Sequence, residues 1–96
     1  IMIRDRFGQD IFGTNTFYLG HPIHIQKDAL RHICFRFDEL NIGPGKYTLT
    51  VAAHSDEIHV NDCYQWIDKV KEFEIVADKN FVFEGFVRLK PKIFIE

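Results

Sequence analysis

The fold class is decided by the segment Lys46-Tyr47-Thr48-Leu49-Thr50-Val51-Ala52-Ala53-His54, in which apolar side chains recur at every second position. In an extended chain Tyr47, Leu49, Val51 and Ala53 share one face, and the residues between them share the other. This period of two predicts a half-buried β-strand. The preceding proline–glycine pair supplies a turn, because proline presets φ and glycine accepts a positive φ.

Other parts of the chain also have the composition of strands. Residues 30–38 alternate in the same way, with Ile33, Phe35 and Phe37 on one face. Further strands are predicted, between turn residues, at residues 1–6, 10–15, 70–77, 86–89 and 93–95. Only residues 27–30 and 65–69 allow a helical turn. Many short strands with frequent turns predict an all-β fold, an antiparallel β-sandwich.

Length and charge limit the functions open to the chain. Its 96 residues make one small domain, residues 1–96, and an apolar share of 46% with ten Phe suits a packed core. Twelve Lys and Arg against fourteen Asp and Glu give a formal net charge of −2, and the basic residues are scattered. The chain has no cluster of basic residues that could bind the phosphate backbone of a nucleic acid, so we expect no nucleic-acid partner.

Cysteine content and hydropathy indicate a reduced, cytosolic setting. Only Cys34 and Cys63 occur, without Cys-x-x-Cys spacing, whereas small secreted domains usually carry several disulfides. No apolar run reaches transmembrane length and no basic-then-apolar leader opens the chain, so we expect a soluble domain. Because Ile1-Met2-Ile3 already has the pattern of the middle of a strand, we expect the natural protein to extend further toward its N-terminus.

Motifs for nucleotide binding and catalysis are absent from the sequence. There is no Walker glycine loop, no Gly-x-Gly-x-x-Gly and no Gly-x-Ser-x-Gly. Cys63 near His59 could form a nucleophile with its base, and Glu72 with Glu74 could form a glycosidase pair. However, no oxyanion element accompanies the thiol, and carboxylates on a strand face are ordinary solvated charges. We therefore expect no catalytic residue.

Four histidines could be imagined as metal ligands, namely His21, His24, His54 and His59. In a strand, a separation of three residues points His21 and His24 to opposite faces, so this pair chelates only from a loop. Closed ligand sets usually show tighter spacing, and solvated loop histidines explain the pattern better. The sequence predicts no metal site and no cofactor.

Tyr64 and Trp66 form one candidate surface for carbohydrate. They stand two positions apart in a polar stretch, and exposed aromatic rings stack well on the C–H faces of pyranoses. The alternative is that Trp66 folds inward and caps the sandwich, as large aromatic residues of small β-domains often do.

The outer face of the sheet is a second candidate surface. Its side chains would come from three predicted strands: Arg4 from the first, His32, Cys34 and Arg36 from the second, and Thr48, Thr50 and His54 from the third. If these strands are neighbours, hydroxyl groups beside arginine form a shallow polar groove suited to an oligosaccharide. An ordinary solvated sheet face would carry the same residue types.

Several short motifs occur in an order and spacing that resemble one protein family. They are Ile3-Arg4-Asp5-Arg6 with Gly8, the segment 11–16, Phe35-x-Phe37, Gly43-x-Gly45-x-Tyr47, Val51-Ala52 with His54, Tyr64-x-Trp66-x-Asp68, Phe73-x-Ile75, and Gly85 with Leu89. On these motifs, which cover nearly the whole chain, the sequence resembles the Wzt C-terminal domain. That family is the carbohydrate-binding domain of the nucleotide-binding subunit of O-antigen polysaccharide ABC transporters.

The resemblance implies a jelly-roll or immunoglobulin-like β-sandwich that binds the growing end of an O-antigen glycan and couples recognition to export. It places the domain in the cytoplasm at the inner face of the bacterial inner membrane. The ATPase domain would lie outside this chain and work with a membrane subunit. Candidate carbohydrate contacts are Arg4, Arg36, Thr48, Thr50, His54, Tyr64 and Trp66. The segment Phe12-Gly13-Thr14-Asn15 looks like a turn scaffold that shapes strand ends.

The chain also departs from the family pattern. Family domains usually begin about two strands before the segment that aligns with residues 1–6, so one sheet would have an open edge. We expect either truncation or strands supplied by a partner chain, in a homodimer with strand exchange. Two alternative functions remain: a structural dimerisation module of the transporter ATPase, and a small metal-dependent β-barrel enzyme using His54, His59 and an acidic partner.

Overall fold

The computed structural model describes residues 1–24, 26, 28–54 and 63–95, and for residues 54 and 63–66 it describes the backbone only. Four strands are present in this part of the chain: β1 (Met2–Asp5), β2 (Asp10–Gly13), β3 (Gly45–His54) and β4 (Cys63–Ile75). These residues contain no helix. The all-β fold class predicted from the sequence is confirmed.

The strands form one antiparallel sheet in the order β2-β1-β3-β4. β1 and β2 make a hairpin whose turn is fixed by Asp5, because its Oδ1 accepts hydrogen bonds from the backbone N–H groups of Phe7 and Gln9, both at 2.9 Å. Gly8 in this turn has φ +80°, which glycine adopts without a Cβ clash. β3, predicted from its alternation, lies between β1 and β4 and carries most of the pairing.

β4 is longer than the sequence predicted. Residues 65–69, taken as a possible helical turn, are part of the strand, with Gln65 paired to Ala53 and Ile67 to Val51. The local sequence is compatible with a helical turn or a strand. The segment forms a strand because its backbone pairs with the long β3.

Three predicted strands are wrong. Residues 30–38, 86–89 and 93–95 form no strand in the described part of the chain. Residues 86–89 contribute only an isolated bridge from Val87 to Ile42. Alternation gives a segment one apolar face, but a strand also needs a partner for its backbone groups, and the segment 30–38 has no such ladder.

The loop before β3 is attached to the C-terminal segment by backbone contacts. The Gly43 N–H donates to the carbonyl of Phe86 at 2.8 Å. A Cβ on Gly43 would lie 2.6 Å from the carbonyl oxygen of Gly85, so only glycine fits here. The Tyr47 hydroxyl, buried beneath the loop, donates to the Gly43 carbonyl at 2.6 Å. Burial raises the pKa of Tyr47, and the nearby charge of Asp5 raises it further.

The sheet has one apolar face. Across the register Ile3 neighbours Phe12 and Leu49, and the Tyr47 ring stacks on Phe73 with centroids 5.6 Å apart. Of the described residues, only Ile3 and Tyr47 are buried apolar side chains. This face corresponds to the inner face of one layer of the predicted sandwich.

Much apolar surface remains exposed. Side chains of the C-terminal segment are almost fully accessible, including Phe94 at 81% and Ile95 at 92%. The accessible surface is 8806 Å², whereas a folded monomer of 11.3 kDa exposes about 5,700 Å². The Cα radius of gyration is 17.2 Å, against about 12.5 Å for a compact domain of this length. The structure therefore consists of one sandwich layer with long extended segments.

Candidate functional site

A network of polar side chains crosses all four strands on the face opposite the apolar one. Arg4 of β1 is its centre. The Arg4 Nε donates to Asp10 Oδ1 of β2 at 2.8 Å, and the Arg4 Nη1 donates to Thr50 Oγ1 of β3 at 3.1 Å. The same Nη1 lies 3.5 Å from Asp68 Oδ1 of β4. Arg4, Asp10, Thr50 and Asp68 are called here the four-strand network.

Thr50 is the buried member of the four-strand network, with 3% of its surface exposed. Its hydroxyl accepts from Arg4 and donates to Asp68 Oδ1 at 3.1 Å. The backbone N–H of Lys69 also donates to Thr50 Oγ1, at 3.5 Å. Every hydrogen-bonding role of the hydroxyl is therefore used, as expected for a buried polar group. The guanidinium and the carboxylate are held in fixed positions above it.

A bulge in β4 brings Asp68 to this position. Leu49 pairs with Lys71 and Val51 pairs with Ile67, so residues 68–70 together face Thr50. Lys69, at the centre of the bulge, has φ +49°, which is uncommon for a residue other than glycine. Bulges redirect side chains and are frequent beside binding sites.

Three members of the four-strand network, Arg4, Thr50 and Asp68, line a cleft of about 600 Å³. Arg4, Thr48 and Thr50, three of the carbohydrate contacts predicted from the sequence, all lie in its wall. They meet because β1 pairs directly with β3, with Arg4 opposite Thr48. The planar guanidinium of Arg4, the threonine hydroxyl groups and carboxylate side chains lie side by side in this wall. These groups donate hydrogen bonds to sugar hydroxyls and accept hydrogen bonds from them.

Arg36 lies elsewhere. Its Nε donates to Asp38 Oδ1 at 2.8 Å and its side chain is 83% exposed. It borders a smaller depression of about 290 Å³ with Cys34, Phe12 and Phe37. The face that Thr48 and Thr50 were expected to share with residues 32, 34 and 36 is not formed, because residues 30–38 are not a strand beside β3.

Other predicted contacts cannot be placed by their side chains. The side chains of His54, Tyr64 and Trp66 lie outside the described part of the structure, as does the whole of residue 59. Their backbone positions are at the end of β3 and the start of β4, where Trp66 pairs with Ala52. Among the described residues, no group of three or more His, Cys, Asp and Glu side chains is arranged to hold a metal ion.

The segment Phe12-Gly13-Thr14-Asn15 contacts the N-terminal residue, the turn that follows it and Phe37. β2 ends at Gly13, and the Thr14 N–H donates to the carbonyl of Ile1 at 3.1 Å. Asn15 Oδ1 accepts from the backbone N–H of Tyr18 at 2.7 Å and organises the turn that follows. Phe12 packs edge-on against Phe37 with ring centroids 5.9 Å apart.

Asp10 and Asp68 were not predicted as site residues. Asp68 belongs to the Tyr64-x-Trp66-x-Asp68 motif, which is the one sequence signal that could have drawn attention to it. Asp10 has no such signal, since its role depends on the pairing of β1 with β2. The bulge that positions Asp68 also leaves no recognisable mark in the sequence.

Comparison with known protein families identifies a match. A family model described as the Wzt C-terminal domain matches residues 1–89. No curated protein matches the chain at a significant level. The described residues contain no helix with the length and hydropathy needed to cross a membrane.

Proposed function

This chain belongs to the Wzt C-terminal domain family, the C-terminal domains of an ABC transporter subunit, and from that premise we propose that it binds O-antigen polysaccharide without cleaving it. The observation that carries the proposal is the hydrogen-bonded set Arg4, Thr50 and Asp68 of the four-strand network in the wall of the 600 Å³ cleft. Fixed donors and acceptors at the surface of a rigid sheet are suited to a ligand made of hydroxyl groups.

The cleft has the chemistry of a sugar-binding surface. A planar guanidinium donates in fixed directions, and the neighbouring carboxylate accepts from adjacent hydroxyl groups. Arg4 and Asp68 lie 3.5 Å apart at their closest polar atoms, so one hydroxyl or two adjacent ones can contact both side chains. Hydrogen bonds to charged groups are about twice as strong as neutral ones. Several such contacts with a repeating polymer give selective binding.

The binding domain would act on transport through its attachment to the rest of the transporter. We propose that it works at the cytoplasmic face of the inner membrane, joined to an ATPase domain that supplies the energy. That ATPase works with a membrane subunit through which the polymer leaves. Recognition of the glycan by this domain would then determine which polymer is exported.

Titration with polysaccharide tests the proposal. The protein is titrated by calorimetry with O-polysaccharide purified from the producing cell and, separately, with unrelated glycans. Selective and saturable binding is expected, and Arg4→Gln should weaken it at least tenfold. Arg36→Gln is the matched control, because this arginine lies outside the cleft, and it should change affinity by less than twofold.

Two results would count against the proposal. Absence of binding by a folded sample would refute glycan recognition. Equal losses in the two arginine variants would show that the glycan does not bind at the four-strand network. The melting temperature of each variant is measured in parallel, since Arg4 also holds strands together and loss of folding must be separated from loss of contact.

A second candidate function is a dimerisation module of the same transporter. The exposed apolar side chains at residues 93–95 and the excess surface of about 3,000 Å² relative to a compact monomer favour it. A stable dimer buries at least about 1,200 Å² in total. The extended C-terminal segment would supply a strand to a second copy in a homodimer with strand exchange.

Light scattering after size exclusion tests this candidate. Phe94→Lys should convert the dimer to monomer, whereas Phe7→Lys, which changes a ring that is 78% exposed in the β1–β2 turn, should leave the mass unchanged. A monomeric wild-type protein at micromolar concentration would refute it. A dimer that fails to bind polysaccharide would favour the dimerisation module over glycan recognition.

A further inference from the structure

The bulge in β4 determines which groups face the centre of the cleft. In a regular ladder, one residue of β4 would stand opposite Thr50, but here residues 68–70 do so. The left-handed backbone of Lys69 turns the strand at this point. As a result the Asp68 carboxylate rests on the Thr50 hydroxyl at 3.1 Å and beside the Arg4 guanidinium.

The cleft carries balanced charge. Four basic residues line it, namely Arg4, Arg6, Lys46 and Lys69. Four acidic residues also line it, namely Asp5, Asp68, Glu72 and Glu74. Lys46 lies opposite Glu74 in the register of β3 with β4. The lining therefore has no net formal charge to attract an anion.

An anionic group would meet a like charge at the centre of this cleft. The Arg4 guanidinium already lies against two carboxylates, those of Asp10 and Asp68. A ligand carboxylate or phosphate on Arg4 would lie within a few ångströms of the Asp68 oxygens, and like charges at that distance repel. A hydroxyl avoids this conflict, because it accepts from Arg4 and donates to Asp68 at the same time.

We propose that the bulge at Asp68 and Lys69 is the specificity-determining element of the cleft, and that it selects hydroxyl pairs of uncharged sugar residues over carboxylated or phosphorylated ones. This inference rests on the proposed glycan-binding function and names the class of sugar that the site takes. Asp68 is a direct ligand contact in this arrangement, and Lys69 is a positioning residue that acts through its backbone.

Salt dependence and chemical modification of the ligand test the proposal. The protein is titrated with O-polysaccharide from the producing cell at 50 mM and 500 mM NaCl, concentrations about tenfold apart that change electrostatic screening strongly. Affinity should change by less than about twofold. Reduction of any carboxyl groups of the polysaccharide to alcohols, and removal of any phosphate groups, should likewise leave the affinity unchanged.

Variants locate the effect at the bulge. Asp68→Asn retains the shape of the side chain but removes the charged acceptor, and it should weaken binding about tenfold and make anionic ligands more competitive. Asp38→Asn is the matched control, because Asp38 pairs with Arg36 outside the cleft, and it should bind like the wild type. Circular dichroism confirms that both variants are folded.

The outcomes separate this inference from the function on which it rests. No binding by the wild type refutes the proposed function and the inference with it. Binding that falls more than fivefold in high salt, or that disappears when the polysaccharide is made neutral, refutes the inference while glycan recognition stands. Equal affinities of Asp68→Asn, Asp38→Asn and the wild type overturn the role of the bulge.

Discussion

Thr50→Val is the change that most directly probes the four-strand network. Valine has the shape and strand propensity of threonine but no hydroxyl, so the backbone of β3 should be unaffected. The substitution removes the acceptor of the Arg4 Nη1 bond at 3.1 Å and the donor of the Asp68 bond at 3.1 Å. Both lost bonds involve charged partners, and the site is 3% exposed.

The expected loss is about 2 kcal/mol of the free energy of unfolding. A hydrogen bond to a charged group contributes about 1.5–3 kcal/mol. Water can reach the Arg4 and Asp68 side chains, which are 25% and 62% exposed, and the two stay in contact at 3.5 Å, so the loss stays below the sum of two bonds. For a domain of this size the melting temperature should fall by about 8–16 °C. Urea denaturation followed by circular dichroism measures the free energy directly.

Thr48→Val is the matched control for this measurement. It makes the same chemical change two residues away on the same strand, at a half-buried position opposite Arg4 and Glu72. Because the Thr48 hydroxyl makes no hydrogen bond within the described part of the structure, its loss should alter stability by less than about 0.5 kcal/mol. If the two variants differ by less than about 0.5 kcal/mol, the hydroxyl of Thr50 does not hold the network together.

Three further changes test the turns and the buried tyrosine. Lys69→Gly should stabilise the protein by about 0.5–1 kcal/mol, because glycine adopts φ +49° without a Cβ clash; a melting temperature below the wild type would contradict this. Gly43→Ala should lower the free energy of unfolding by about 1–3 kcal/mol, because the new Cβ would lie 2.6 Å from a backbone carbonyl oxygen. Gly13→Ala should lower it by less than about 1 kcal/mol, because its Cβ would meet only the movable end of a methionine side chain, at 2.6 Å. Denaturant titrations measure both values. Burial, and then the nearby carboxylate of Asp5, raise the pKa of Tyr47 above its ordinary 10.0. The tyrosine of the unfolded chain therefore ionises at a lower pH than that of the folded protein. The stabilisation is present below pH 10 and is lost as pH rises through the pKa of the folded state. Tyr47→Phe should lower stability at neutral pH by about 1–2 kcal/mol and flatten this alkaline loss, whereas Tyr18→Phe, at an exposed position, should do neither.

The strands that sequence could predict are those whose local pattern and pairing agree. β3 has clear alternation, β1 has apolar residues ahead of a glycine turn, and each finds a partner in the sheet. Ile33, Phe35 and Phe37 alternate equally well, but their segment has no backbone ladder, and only Phe35 of the three is half-buried. The period of the side chains predicts which face of a segment is apolar. Whether the segment forms a strand also depends on a neighbouring strand, distant in sequence, that pairs with its backbone.

The site was predictable to the same extent. Arg4, Thr48 and Thr50 could be proposed together because they share the outer face of strands that proved to be neighbours. Asp68 could not, because its place depends on a bulge whose backbone is left-handed at a lysine, where glycine would be the expected residue. Arg36 was grouped with Arg4 on the assumption of an additional strand, and it lies instead beside Asp38.

The four-strand network also has a mechanical consequence. Its members lie at positions 4, 10, 50 and 68, one on each strand, so any strand that slides along its neighbour must break at least one of these bonds. If a sugar bridges Arg4 and Asp68 as proposed, it would add a link across β1, β3 and β4, perpendicular to the strands, and would raise the resistance of these three strands to shear. Amide hydrogen exchange should then slow in these three strands when the cleft fills. A domain attached to either edge could sense occupancy as stiffness, without any change in the path of the backbone.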